Sequence, residues 1–96
     1  MYANGAPKNN VEAVKWYRKA ADQGYATAQH NLGVVYADGQ GVPQDDVMAY
    51  MWYNLAAAQG LEAAKHNKGV LSKQMTKEQI AEAQKLSRKW LAKRSK

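Results

Sequence analysis

Apolar positions in this chain recur at helical rather than strand spacing. Ala13, Trp16, Tyr17, Ala20 and Ala21 follow the 3, 4, 7, 8 spacing that places side chains on one helix face, and Ala49, Trp52, Tyr53, Ala56 and Ala57 copy that face. The pattern predicts two such helices, running to about Gln23 and Gln59. Pro7 and Pro43 stand before them, with Asn9 or Asn10 and Asp45 or Asp46 placed to cap the free amide groups. Gly24 and Gly60 follow where a helix end calls for the left-handed conformation that glycine adopts without a steric penalty. Second helices are expected over about Thr27 to Tyr36 and Glu62 to Ser72, the first closed by the loop signal Asp38-Gly39-Gln40-Gly41. A last helix starts after Thr76, which forms a capping box with Gln79. Ile80, Ala83, Leu86, Ser87, Trp90 and Leu91 lie on one arc of it, opposite Lys77, Lys85, Arg88 and Lys89.

The copying extends beyond the faces. At an offset of 36, residues 11–34 and 47–70 agree at 13 of 24 positions, where unrelated segments agree at about one or two, so the chain is an internal repeat. A unit of this length cannot bury its apolar face alone and must stack on a neighbour. The expected architecture is all-α, an α-α superhelix in one domain over residues 1–96. Within it, residues 6–40 and 41–74 are helix-turn-helix repeats, 75–96 form a capping helix, and 1–5, which align with the end of a second helix, are the remnant of a preceding repeat. Aromatic rings alternating with alanines let helix axes approach closely while the rings fill the space between layers.

The motifs Ala-x-x-Trp-Tyr-x-x-Ala-Ala, Gln-Gly, Ala-x-x-Asn-x-Gly and Tyr-x-x-Gly-x-Gly-Val resemble the Sel-1-like repeat, a relative of the tetratricopeptide repeat. The matching residues include Ala13, Trp16, Tyr17, Gly24, Ala28, Leu32, Gly33, Tyr36, Gly39 and Gly41, then Ala49, Trp52, Tyr53, Gly60, Ala64 and Gly69. The resemblance implies a right-handed superhelix serving as an adaptor for proteins or peptides, often in bacterial envelope, secretion or host-contact pathways. Lys68 and Ser72 replace Leu32 and Tyr36 of the first repeat, which marks the second repeat as the end of the array.

Composition narrows the chemistry. Without cysteine there is neither a disulfide framework nor a thiolate metal site. No run is long enough to span a membrane, and Met1 is not followed by an export signal, so the chain as given is expected in the cytoplasm. A longer native N-terminus would make an envelope or secreted protein possible. The net charge of +6 divides into −2 over residues 1–64 and +8 over residues 65–96. His30 and His66 are repeat equivalents, but helices pack at about 10 Å, too far apart for both to bind one metal, so no metal and no cofactor are expected. Asp45 and Asp46 are explained by helix capping, and no nucleophile or phosphate-binding motif is present, which argues against an enzyme.

The leading expectation is therefore a non-enzymatic module that binds a protein or peptide through polar positions on the repeat helices: Lys15, Gln29, His30, Asn31, Asn54, Lys65, His66 and Asn67. Asn31 and Asn67 stand first, as the resemblance implies: amides at equivalent places in related repeats commonly clamp the backbone of an extended ligand. Val14, Trp16 and Tyr17 form an edge at which a homodimer or swapped arrangement is expected. Lys85, Arg88, Lys89 and Lys93 support an alternative, electrostatic contact with nucleic acid or anionic membrane. That alternative ranks below a protein partner, because no aromatic residue is interleaved with the charges. A structural segment of a longer array is the third reading.

Overall fold

The computed structural model describes residues 10–94. Among these residues five helices follow one another, α1 (Asn10–Asp22), α2 (Ala26–Asp38), α3 (Asp46–Ala58), α4 (Glu62–Ser72) and α5 (Lys77–Arg94), so helices form where the periodicity places them. The remnant at residues 1–5, Pro7 and the caps at Asn9 and the Asn10 side chain lie outside the described residues.

Local chemistry sets the helix ends. Asp45 accepts the Met48 amide through its carboxylate at 3.1 Å and so caps α3. Thr76 and Gln79 bond each other's amides at 3.0 and 2.9 Å, closing the capping box of α5. Gly24 and Gly60 both turn at φ 94°, the positive-φ region where a side chain would be strained.

The extensive contacts are α1 with α2, α2 with α3, α3 with α4, and α3 with α5. Helix α3 is therefore the centre of the stack, and eight of its thirteen residues are buried. Its Trp52, 2% exposed, lies in a core with Val14, Ala21, Ala28, Leu32, Val35 and Leu55. Between α2 and α3 the backbones come close: a Cβ built on Gly33 would lie 2.6 Å from the Tyr53 ring and 3.2 Å from the Ala49 carbonyl oxygen. The end of α2 meets the start of α3, where the Asp45 amide donates to the Tyr36 carbonyl at 3.0 Å. At the opposite end the Gln59 amide donates to the Gly24 carbonyl at 2.8 Å and to Gln29 at 3.0 Å. The two helices are thus antiparallel.

Helix α5 lies chiefly on α3 instead of settling against α4 as α3 settles against α2. It starts beside Tyr50 and Leu71, where Ala83 is buried, and crosses toward α1. Trp90 meets Trp52 edge to face with ring centroids 6.0 Å apart. Arg94 then donates to the Asp22 and Gln23 carbonyls, the second at 3.1 Å, which places a cation on the free carbonyls at the α1 C-terminus. Leu91 departs from the arc that the spacing predicts: it is exposed, because this diagonal path carries it past the edge of α3.

Candidate functional site

Comparing repeat-equivalent residues shows which side of the helices is occupied. On α3 the side that meets α5 carries Met51 and Asn54. The Ser87 hydroxyl, itself buried, donates to the Ala83 carbonyl at 3.1 Å and also lies 3.5 Å from the Met51 carbonyl. Asn54 is taken up completely, its amide donating to Ser87 at 3.1 Å and its carbonyl accepting from Lys68 at 3.1 Å. The equivalents on α1 are Lys15 and Arg18, both exposed. They line a shallow groove along α1 with Glu12, Val14, Trp16, Lys19 and Asp22. Arg18 is steadied by donation to the Tyr36 hydroxyl at 2.6 Å, and the Lys19 ammonium stands 5.9 Å from the Trp16 ring centroid. Trp16 is 61% exposed, whereas its equivalent Trp52 is buried.

The remaining expected contact residues are scattered. Gln29 is 0% exposed and donates to the Ala21 carbonyl at 3.3 Å while accepting from Gln59, so it ties α2 to α1 and α3 and does not face a ligand. Burial makes those bonds necessary, since an amide left unsatisfied in a core costs about 1–3 kcal/mol. His30 and Asn67 pair with each other, the Asn67 amide lying 2.8 Å from Nε2, and His30 tilts against Tyr53 at 5.6 Å. Asn67 is therefore the clamp of α4 onto α2. Its equivalent Asn31 is half-buried and makes no such bond among the described residues. Lys65 pairs with Glu62 at 3.2 Å on the surface, and His66 is exposed.

Of the three edge residues, Val14 differs from expectation: it is buried in the core that holds Trp52, which leaves Trp16 exposed and Tyr17 half-buried. Lys85, Arg88, Lys89 and Lys93 are all exposed along α5. Burial pushes the Tyr53 hydroxyl up to about 12, with the Asp38 charge adding to the shift. Among the described residues no cluster of three or more histidine, cysteine, aspartate or glutamate side chains is arranged to hold a metal ion. None of these helices is long and apolar enough to cross a membrane.

Sequence reasoning did not single out Arg18 or Arg94. A signal for the first was present: Met51 and Asn54 are among the positions at which the two repeats disagree, and a charged-to-uncharged change between otherwise copied helices marks a surface that a further element covers in one copy only.

A family model described as Sel1 repeat matches residues 1–25 and 26–61. Among solved structures, a protective antigen of uropathogenic Escherichia coli displaying an SLR fold is 33% identical and superposes with a TM-score of 0.86 over 94% of this chain and 20% of that one. A Sel1 repeat protein from Oxalobacter formigenes is 43% identical, with a TM-score of 0.67 over 72% of this chain and 28% of that one. The chain thus spans 20% of the length of the first of these proteins and 28% of the second. No curated protein matches the sequence.

Proposed function

The chain belongs to the Sel1 repeat family, whose members are generally protein-interaction scaffolds, and on that premise we propose that it binds an acidic peptide segment of a partner protein along the open strip of α1. One observation carries this reading. Helix α5 covers Met51 and Asn54 on α3, while the equivalent positions on α1 are open and hold the cations Lys15 and Arg18. Covered positions were freed of charge and open ones kept it, the division expected when one stretch of a surface packs internally and the adjoining stretch meets an anionic partner.

The groove is shallow and bordered by flexible cations, so it suits a polypeptide better than a small molecule, which calls for an enclosed pocket. Trp16 offers an apolar anchor at its rim.

Fluorescence titration with a labelled Glu/Asp-rich peptide tests the proposal. Lys15→Glu with Arg18→Glu is expected to weaken binding at least about tenfold and to flatten its salt dependence, with helical circular dichroism unchanged. Reversing Arg88 and Lys89 on α5 should leave peptide binding intact. If the α5 variant loses binding and the α1 variant does not, or if a DNA duplex outcompetes the peptide at equal charge, the basic last helix is the binding element instead.

A further inference from the structure

We propose that the α4 surface around Gly69 is a docking site for helix α1 of a second copy of this chain, so that copies stack head to tail through the same kind of contact that joins α2 to α3. This goes beyond the peptide-binding strip, with which it shares Trp16, Glu12 and Lys19 on α1 but not Lys15 or Arg18.

Two repeat-equivalent glycines carry the inference. Gly33 is needed because Tyr53 and the Ala49 carbonyl press against it, and His30 flanks the same ring. On α4 the triplet His66, Gly69 and Val70 reproduces His30, Gly33 and Val34. Yet a Cβ on Gly69 would meet nothing within 4 Å, Val70 is 46% exposed and His66 is exposed. A glycine inside a helix costs about 1 kcal/mol relative to alanine. At Gly33 close packing offsets that cost, while at Gly69 nothing among the described residues does. Helix α5 leaves this face open because it follows α3 and not α4.

The chain also carries the complement of this cradle. Ala13, Trp16, Tyr17 and Ala20 on α1 copy Ala49, Trp52, Tyr53 and Ala56, the residues of α3 that stack on the first repeat. Trp16 is exposed where Trp52 is buried. Placed as α3 is placed on α2, the incoming α1 would set Tyr17 over Gly69 beside His66.

Charges agree with this antiparallel arrangement. The first turn of α1 carries Glu12 and its last turn Lys19, while α4 carries Glu62 in its first turn and is followed by Lys73 at the place of Ala37. Lys73 therefore falls toward Glu12, and Glu62 toward Lys19. Trp16 would lie near Lys68, an ammonium that already stands 5.9 Å from the Tyr50 ring centroid, so a second aromatic face suits it. The contact is heterologous: each copy offers a cradle at one end and a helix at the other, so association does not stop at a closed dimer unless the rotation brings the ends together.

The test follows from that asymmetry. Sedimentation equilibrium is run from about 10 µM to about 1 mM, the range suited to an interface of one helix pair. Average mass of the 96-residue chain is expected to rise with concentration past that of a dimer. Gly69→Gln should be monomeric, because the longer side chain fills the cradle, and Trp16→Ala should be monomeric because the inserting ring is gone. Both positions are exposed, so folding is expected to persist, and a cooperative melt confirms it. An equimolar mixture of the two variants should form a dimer and nothing larger, since one supplies an intact helix and the other an intact cradle. A chain that stays monomeric throughout, association that survives Gly69→Gln, or a mixture that fails to pair would each overturn the proposal. Because Lys15 and Arg18 are untouched, acidic-peptide binding by Gly69→Gln reports separately on the peptide strip.

Discussion

The strongest quantitative consequence of the fold is that one substitution should have opposite effects at two positions which the sequence makes alike. Gly33 and Gly69 each lie inside a second helix, each three residues after a histidine and directly before a valine. Alanine in place of glycine in a helix interior gains about 0.8–1 kcal/mol from reduced backbone freedom in the unfolded chain. At Gly69 the new methyl meets nothing within 4 Å, so the full gain is expected. With about 1 kcal/mol shifting the midpoint of a domain this size by about 4–8 °C, Gly69→Ala should melt that much higher. At Gly33 the methyl would sit 2.6 Å from two ring carbons of Tyr53, and the Ala49 carbonyl oxygen at 3.2 Å blocks retreat in the other direction. Tyr53 is itself buried beneath α2, so relief requires α2 and α3 to separate. Overpacking of that kind costs about 1–3 kcal/mol, which cancels or exceeds the helical gain. Thermal melts followed by circular dichroism at low micromolar concentration, where chains are unassociated, should therefore place Gly33→Ala at or below the parent and Gly69→Ala above it. Equal rises for both variants would refute the close α2–α3 approach.

Two further outcomes are expected. Since the Tyr53 hydroxyl is raised to about 12 in the folded chain from an ordinary value near 10, its contribution is fully present below about pH 10 and is lost as pH rises toward 12; between about pH 9 and pH 11.5, urea titrations should show Tyr53→Phe losing less stability than the parent, and parallel losses would contradict the burial of that hydroxyl. Thr76→Ala removes half of the reciprocal cap on α5 and should cost about 1 kcal/mol in denaturant unfolding, with Thr76→Ser restoring most of it.

The helices were legible because their signals are local. Apolar spacing, glycine punctuation and the Thr76–Gln79 box act within a few residues of one another, and α4 spans the stretch that the sequence predicts. The family was legible for the same reason, since the repeat is a pattern of adjacent spacings. The candidate site was legible only in part. Lys15, Gln29 and Asn54 read alike in the sequence, because a polar side chain looks the same there whether it faces solvent, as Lys15 does, or satisfies a neighbouring helix, as Gln29 and Asn54 do.

The sequence by itself determined that this chain is a stack of two copied helix pairs with a basic last helix, because recurrence at a fixed offset can be counted without coordinates. Only the tertiary structure decided which copied residues are used. Trp16 and Trp52, Gly33 and Gly69, Asn31 and Asn67 are identical pairs, yet among the described residues one of each is enclosed, pressed or bonded and the other is not. Identical residues have identical local preferences, and what separates them is whether another helix lies across them. That depends on the diagonal path of α5 and on the ends of the stack, which are set by contacts between residues far apart in the chain.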